Sequence, residues 1–103
     1  MIALRATVRP RADVHVQPLL LNRLRQHRNI RIDEHTFLAL VPGAGSVIVT
    51  RRIGQLLLDL VVDRRELMPV VIAGLEAELR RGGAAERIAI EWTSPDRVPV
   101  PLR

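Results

Sequence analysis

The N-terminal segment alternates apolar and polar side chains, with Arg5, Thr7 and Arg9 between its apolar members. Those apolar members are Ile2, Leu4, Ala6 and Val8. A two-residue period is typical of a β-strand with one buried face, and Pro10 ends the pattern. The chain is therefore predicted to begin with a strand.

The next segment changes to the three- and four-residue spacing of an amphipathic helix. Its apolar stripe consists of Val16, Leu20, Leu21, Leu24 and His27. Pro18 fits a first-turn position, where its missing amide proton costs no hydrogen bond. We predict a helix over residues 17–28.

Residues 29–62 have the pattern of three or four successive short strands, the first of them where Ile30 and Ile32 flank Arg31. Three apolar or β-branched runs, at residues 37–41, 47–50 and 56–62, are separated by turns that contain Gly43 and Gly54. Connections this short leave no room for crossover helices, so the strands are expected to pair antiparallel as a meander.

A second helix is predicted to begin at Asp63, because Asp63 and Glu66 have the spacing of a capping box. Pro69 lies within the pattern and either kinks the helix or marks its proper beginning. The apolar stripe consists of Leu67, Val71, Leu75 and Leu79. Gly82 and Gly83 are expected to end this helix.

Residues 86–92 alternate once more and predict a final strand, with Ile88, Ile90 and Trp92 directed inward. The elements together predict an α+β fold: a two-layer sandwich of a largely antiparallel sheet with two amphipathic helices on one face. A chain of 103 residues suits one core. We predict a single domain over residues 1–92 and a proline-rich C-terminal tail over residues 93–103.

The segment from Leu24 to Trp92 resembles DUF2218, a bacterial family of small domains of unknown function. The resemblance rests on residues 24–27, on Pro42 and Gly43 before a strand, on the paired strands of 46–62, on the helix opened by Asp63, and on the closing strand 87–92. The chain departs from the family in lacking an aromatic residue in the first helix, in the apolar run 37–41, and in the strand before that helix. The resemblance implies an α+β sandwich without known activity, and a link to iron or siderophore metabolism by association with flavin reductases.

Composition and charge change this picture little. The net charge is +5, all 16 basic residues are arginine, and cysteine is absent. A GC-rich genome accounts for the arginine bias, and the lack of cysteine and of a long apolar run favours a cytoplasmic protein without a membrane span. The arginines are dispersed among acids such as Glu78, which we expect on a solvated surface, and only Phe37 and Trp92 are aromatic. These features argue against a nucleic-acid partner.

Few residues carry recognisable chemistry. His15, His27 and His35, with Asp33 and Glu34, lack the paired spacing of metal ligands, so no metal site is predicted. His27 and His35 are candidates for ligand binding or proton transfer, although a favourable position at the negative end of a helix is the commoner explanation for a residue such as His27. Arg51 and Arg52 border a hairpin and are candidate anion contacts. No catalytic residue and no cofactor is predicted.

The strand at residues 56–62 is apolar on both faces. Leu56, Leu58, Leu60 and Val62 share one face, and Leu57 and Val61 lie on the other. Because two helices cover only one face of a sheet, we expect a partner subunit or a small apolar ligand on the second face, and name Leu57 and Val61 as interface residues. The predicted function is a non-enzymatic binding module that forms a homodimer through its sheet. The alternatives are an arginine-rich nucleic-acid-associated protein and a small enzyme with its site at a dimer interface.

Overall fold

The computed structural model describes residues 1–11, 15–81, 86–97 and 101–102. Six strands, two α-helices and one 3₁₀ turn make up this part of the chain. The strands are β1 (Ile2–Pro10), β2 (Asn29–Asp33), β3 (Thr36–Val41), β4 (Gly45–Arg52), β5 (Gln55–Val62) and β6 (Ile88–Thr93). The α-helices are α1 (Val16–Arg25) and α2 (Met68–Arg80), and the 3₁₀ turn, Arg65–Leu67, precedes α2.

All six strands form one antiparallel sheet in the order β2-β3-β4-β5-β1-β6. The run from β2 to β5 is the predicted meander. The N-terminal strand β1 pairs with β5 on one side and with β6 on the other. The sheet therefore has two edges, the five-residue strand β2 and the closing strand β6.

Both helices pack on the same face of the sheet, which we call the inner face. Its side chains are the even-numbered positions of β1 and β5, such as Leu4 and Leu58, and the odd-numbered positions of β4, such as Val49. These pack with Leu24 of α1 and Leu75 of α2 in one continuous core. The predicted α+β sandwich with two helices on one face is confirmed.

The start of the second helix differs from the prediction. Helix α2 begins at Met68, and neither α2 nor the preceding 3₁₀ turn has a side-chain cap, so Asp63 is not an N-cap. Pro69 lies in the first turn, which confirms the second of the two readings of this residue. Proline favours a helix start more strongly here than the Asp63–Glu66 spacing, because its ring cannot follow a preceding α-turn. Leu67 consequently lies outside the buried stripe and is 37% exposed.

Smaller differences concern element ends. Helix α1 ends at Arg25, so His27 follows the helix, and its amide donates to the Leu24 carbonyl. Strand β6 begins two residues later than predicted and extends to Thr93. The predicted helix stop at Gly82 and Gly83 lies outside the described residues. No helix in the described ranges is long and apolar enough to cross a bilayer.

A glycine pair fixes the distance between α2 and the sheet. Gly43 lies in the β3–β4 turn with φ +82°, a conformation that favours glycine. A Cβ placed on Gly74 of α2 would lie 2.6 Å from the Gly43 carbonyl oxygen, far inside ordinary contact. The turn and the helix therefore approach each other backbone to backbone.

Candidate functional site

The face of the sheet opposite the helices, which we call the open face, carries several aliphatic side chains. The strand register places Leu38 of β3 beside Ile30 of β2 and Ile48 of β4. Leu57 and Val61, the predicted interface residues, lie on the same face because they alternate with the inner-face residues of β5. We define the aliphatic patch by six residues: Ile30, Leu38, Leu40, Ile48, Leu57 and Val61.

Exposure varies strongly across this patch. Ile30 is 68% exposed and Leu40 is 45% exposed, whereas Leu57 is only 8% exposed. Leu57 is opposite Thr7 on β1 and Thr50 on β4, so the two neighbouring strands flank it. Most of the aliphatic surface that a partner could cover therefore belongs to β2 and β3 rather than to β5.

An ion pair between β1 and β5 interrupts the aliphatic patch. Asp59, which lies between Leu57 and Val61 and is 5% exposed, accepts a 2.8 Å hydrogen bond from the Arg5 side chain of β1. The register places Asp59 opposite Ile48, so this carboxylate meets the patch directly. Local sequence patterns do not reveal this pair, because only the β1–β5 register makes residues 5 and 59 neighbours.

His27 lies in a contact between the C-terminal ends of the two helices. Its Nε2 is 2.7 Å from Glu78 Oε1, and the Arg81 guanidinium donates to the same oxygen at 3.0 Å. Arg23 of α1 donates to the Glu78 and Leu79 carbonyls at the end of α2. Glu78 is only 7% exposed, so its predicted place on a solvated surface is wrong. The helical pattern predicts that Glu78 lies on α2, but it does not show that His27, after the end of α1, contacts its carboxylate. These contacts join the helix ends and leave the His27 side chain 18% exposed.

Three other candidates, His35, Arg51 and Arg52, come together at the β4–β5 hairpin. The Arg51 amide donates to the His35 carbonyl at 2.7 Å, and the Arg51 guanidinium is 3.3 Å from His35 Nδ1. With Gln17 and Gln55 they line a shallow depression of about 710 Å³ that also includes Ile53 and Gly54. We call these seven residues the hairpin cleft.

Hydrogen bonds to the backbone of the hairpin hold the cleft in shape. The Gln17 side chain of α1 donates to the Arg52 carbonyl at 3.0 Å and to the Gln55 carbonyl at 3.5 Å. Arg9 of β1 donates to the Gln55 side-chain oxygen at 3.1 Å. Helix α1 and strand β1 thus both anchor the hairpin from outside.

The turn between β2 and β3 carries an ionised carboxylate. Asp33 accepts a 2.8 Å hydrogen bond from the His35 amide, and this bond is the main cause that lowers the pKa of Asp33 below its ordinary value of 3.8. The turn is thereby fixed in the geometry that brings His35 to Arg51.

The three histidines do not converge. His27 lies between the helix ends, His35 in the β2–β3 turn, and His15 immediately before α1. Within the described ranges, no three histidine or acidic residues are grouped closely enough to hold a metal ion.

Comparison with known proteins adds no relative: no family model, no curated protein and no solved structure matches this chain. The resemblance to DUF2218 consequently stays a prediction from the sequence.

Proposed function

We propose that this chain is a non-enzymatic interaction module that self-associates through the aliphatic patch on the open face, most simply as a two-fold dimer. The observation that supports the proposal is the alignment of Ile30, Leu38 and Ile48 across three neighbouring strands on the face opposite both helices. Ile48 is only 4% exposed, so the accessible aliphatic surface lies on β2 and β3, and exposed aliphatic patches are typical of protein interfaces.

The energies are of the right size for association. Full burial of a large aliphatic side chain contributes about 1.5 to 3 kcal/mol, so the partly exposed Ile30 and Leu40 contribute about 1 to 2 kcal/mol each. A two-fold contact doubles this sum to roughly 4 to 8 kcal/mol, which falls in the lower half of the estimated 4 to 15 kcal/mol cost of association. Leu57 contributes little additional burial because it is 8% exposed in the single chain. Ile30 and Leu40 therefore dominate the expected affinity.

Polar side chains among the β5 members of the aliphatic patch suit an interface as well. The Arg5–Asp59 pair lies between Leu57 and Val61, and threonines lie on either side of Leu57. Two such sheets packed face to face would lie about 10 Å apart with interdigitating side chains. The fixed positions of these polar groups would favour one orientation of the second copy over other orientations on the same face.

The test is the solution mass, measured by light scattering at micromolar concentration. The wild-type chain should show twice its chain mass of 11.6 kDa. Leu40→Glu should give a folded monomer, because a side chain that is 45% exposed accepts a charge without damage to the core. Leu57→Glu should also shift the mass toward the monomer, but it adds a risk of unfolding.

The matched control is Leu19→Glu on α1, where the side chain is 51% exposed and does not belong to the open face. This control changes the net charge by the same amount and should remain a dimer. A wild-type mass of one chain defeats the proposal, and so does a Leu40→Glu variant that stays fully dimeric.

A further inference from the structure

The hairpin cleft is lined by two consecutive arginines that form no ion pair with a carboxylate of the described residues. In the part of the chain that the structure describes, Arg52 makes no side-chain hydrogen bond or ion pair, and Arg51 contacts only the imidazole of His35. Arg5 and Arg81 differ in this respect, because each pairs with a carboxylate at 3.0 Å or less. The cleft therefore carries two positive charges that no carboxylate of the described residues pairs with.

The acids near the hairpin lie to one side of the cleft. Asp33 and Glu34 line a second depression, of about 520 Å³, which shares His35, Arg51 and Arg52 with the hairpin cleft. Asp33 accepts the hydrogen bond from the His35 amide. The Glu34 side chain is 81% exposed, and its Oε2 lies 4.0 Å from His35 Nε2. Neither carboxylate pairs with Arg51 or Arg52. Both arginines line the cleft, and strand alternation starts their side chains on opposite faces of the hairpin, so an anion there would be approached from two sides without displacing an acid.

The composition of the cleft selects the kind of anion. Guanidinium groups provide paired donors that match phosphate oxygens, and the Ile53 side chain, fully exposed at the hairpin turn, provides an adjacent apolar wall. No aromatic side chain lines the cleft to stack a base. Of the two aromatic residues in the chain, Phe37 is buried and Trp92 packs against the core. This arrangement favours a small organic phosphate over single-stranded nucleic acid.

We propose that the hairpin cleft binds the phosphate group of a small organic phosphomonoester, with Arg51 and Arg52 as the anion contacts. His35 positions Arg51, and Ile53 contacts the organic part of the ligand. This site is independent of the self-association proposed above, since it lies at the β4–β5 turn and not on the aliphatic patch.

The experiment is a titration of the ¹⁵N-labelled chain with phenyl phosphate, followed through amide chemical shifts at constant ionic strength. The amides of Ile53 and Gly54 should shift and saturate. Inorganic phosphate should shift the same amides with lower affinity, because it lacks the group that contacts Ile53. Arg52→Ser should raise the dissociation constant by about tenfold, the effect expected for loss of one charge-assisted hydrogen bond. Because Arg52 has no side-chain partner, this variant should fold normally, and the double variant Arg51→Ser/Arg52→Ser should abolish saturation.

A matched control is the double variant Arg64→Ser/Arg65→Ser. These adjacent arginines follow the far end of β5, roughly 25 Å from the hairpin at about 3.3 Å per strand residue. The change removes the same charge and should leave binding intact. The proposal is overturned if this control loses binding equally, if Arg52→Ser binds like the wild type, or if no amide shift saturates. It is also overturned if inorganic phosphate binds as tightly as phenyl phosphate, or if a twelve-residue oligothymidylate binds at the hairpin while phenyl phosphate does not.

Discussion

Replacing Gly74 with alanine should destabilise the protein, although alanine is the better helix former. The gain in helix propensity is about 1 kcal/mol. The new Cβ would lie 2.6 Å from the Gly43 oxygen and 2.8 Å from its carbonyl carbon, whereas ordinary contact begins at 3.4 Å. Helix α2 or the β3–β4 turn must therefore move by about 0.8 Å, and overpacking of this kind costs roughly 1 to 3 kcal/mol. Because the contact is with backbone rather than a flexible side chain, we expect the upper part of that range and a net loss of about 1 to 2 kcal/mol.

The measurement is urea denaturation followed by far-ultraviolet circular dichroism, at one fixed protein concentration so that association does not alter the comparison. The control is Ala77→Gly at an exposed position of the same helix, which should lower the free energy of unfolding by about 1 kcal/mol through propensity alone. If Gly74→Ala instead raises the free energy of unfolding by the amount that the control lowers it, no steric conflict exists. The close approach of α2 to the turn would then be wrong.

Two further predictions concern the turns. Asp63→Ala should change the free energy of unfolding by less than about 0.5 kcal/mol, because Asp63 caps no helix. A loss of about 1 kcal/mol or more in urea denaturation would show instead that Asp63 does cap a helix. The lowered pKa of Asp33 means that its stabilisation of the β2–β3 turn is fully present above the ordinary value of 3.8 and is lost as pH falls through the lower folded pKa. A titration of the side-chain carboxyl groups by NMR should show the lowered pKa of Asp33. Asp33→Asn should remove the acid-induced change in the chemical shift of the His35 amide. A pKa of Asp33 at or above 3.8 would contradict the hydrogen bond from the His35 amide as the cause.

The strands were predictable because the burial of one face repeats every two residues. Alternation in β1 and β6 is visible in the sequence, and residues 56–62 of β5 form an apolar run interrupted only by Asp59. The short glycine turns at 43 and 54 leave only hairpin connections. Helix α1 was predictable because its buried face also repeats regularly, here at the three- and four-residue spacing of a helix. Val16, Leu20, Leu21 and Leu24 follow this spacing and are all buried.

The contacts that depend on register or packing could not be predicted. Local spacing suggested that Asp63 caps a helix, but Pro69 fixes the start of α2 several residues later. The Arg5–Asp59 and His27–Glu78 pairs join residues 54 and 51 positions apart, so no local pattern reveals them. The sequence predicts separate candidate roles for three residues of the hairpin cleft: ligand binding or proton transfer for His35, and anion contacts for Arg51 and Arg52. Their meeting depends on the β3–β4 pairing, which places the β2–β3 turn beside the end of β4.

The two proposed sites occupy different parts of one sheet, and this separation makes their tests independent. Arg51 pairs in register with Leu56 on the inner face, whereas Leu40 lies on the open face near the opposite end of the β3–β4 hairpin. Leu40→Glu should therefore change the solution mass and leave phenyl phosphate binding intact. Arg52→Ser should weaken that binding and leave the mass unchanged. If either substitution alters both properties, the sites communicate through the fold, because the residues do not contact each other. In that case the phosphate ligand would regulate self-association. The average mass measured by light scattering should then depend on the phenyl phosphate concentration.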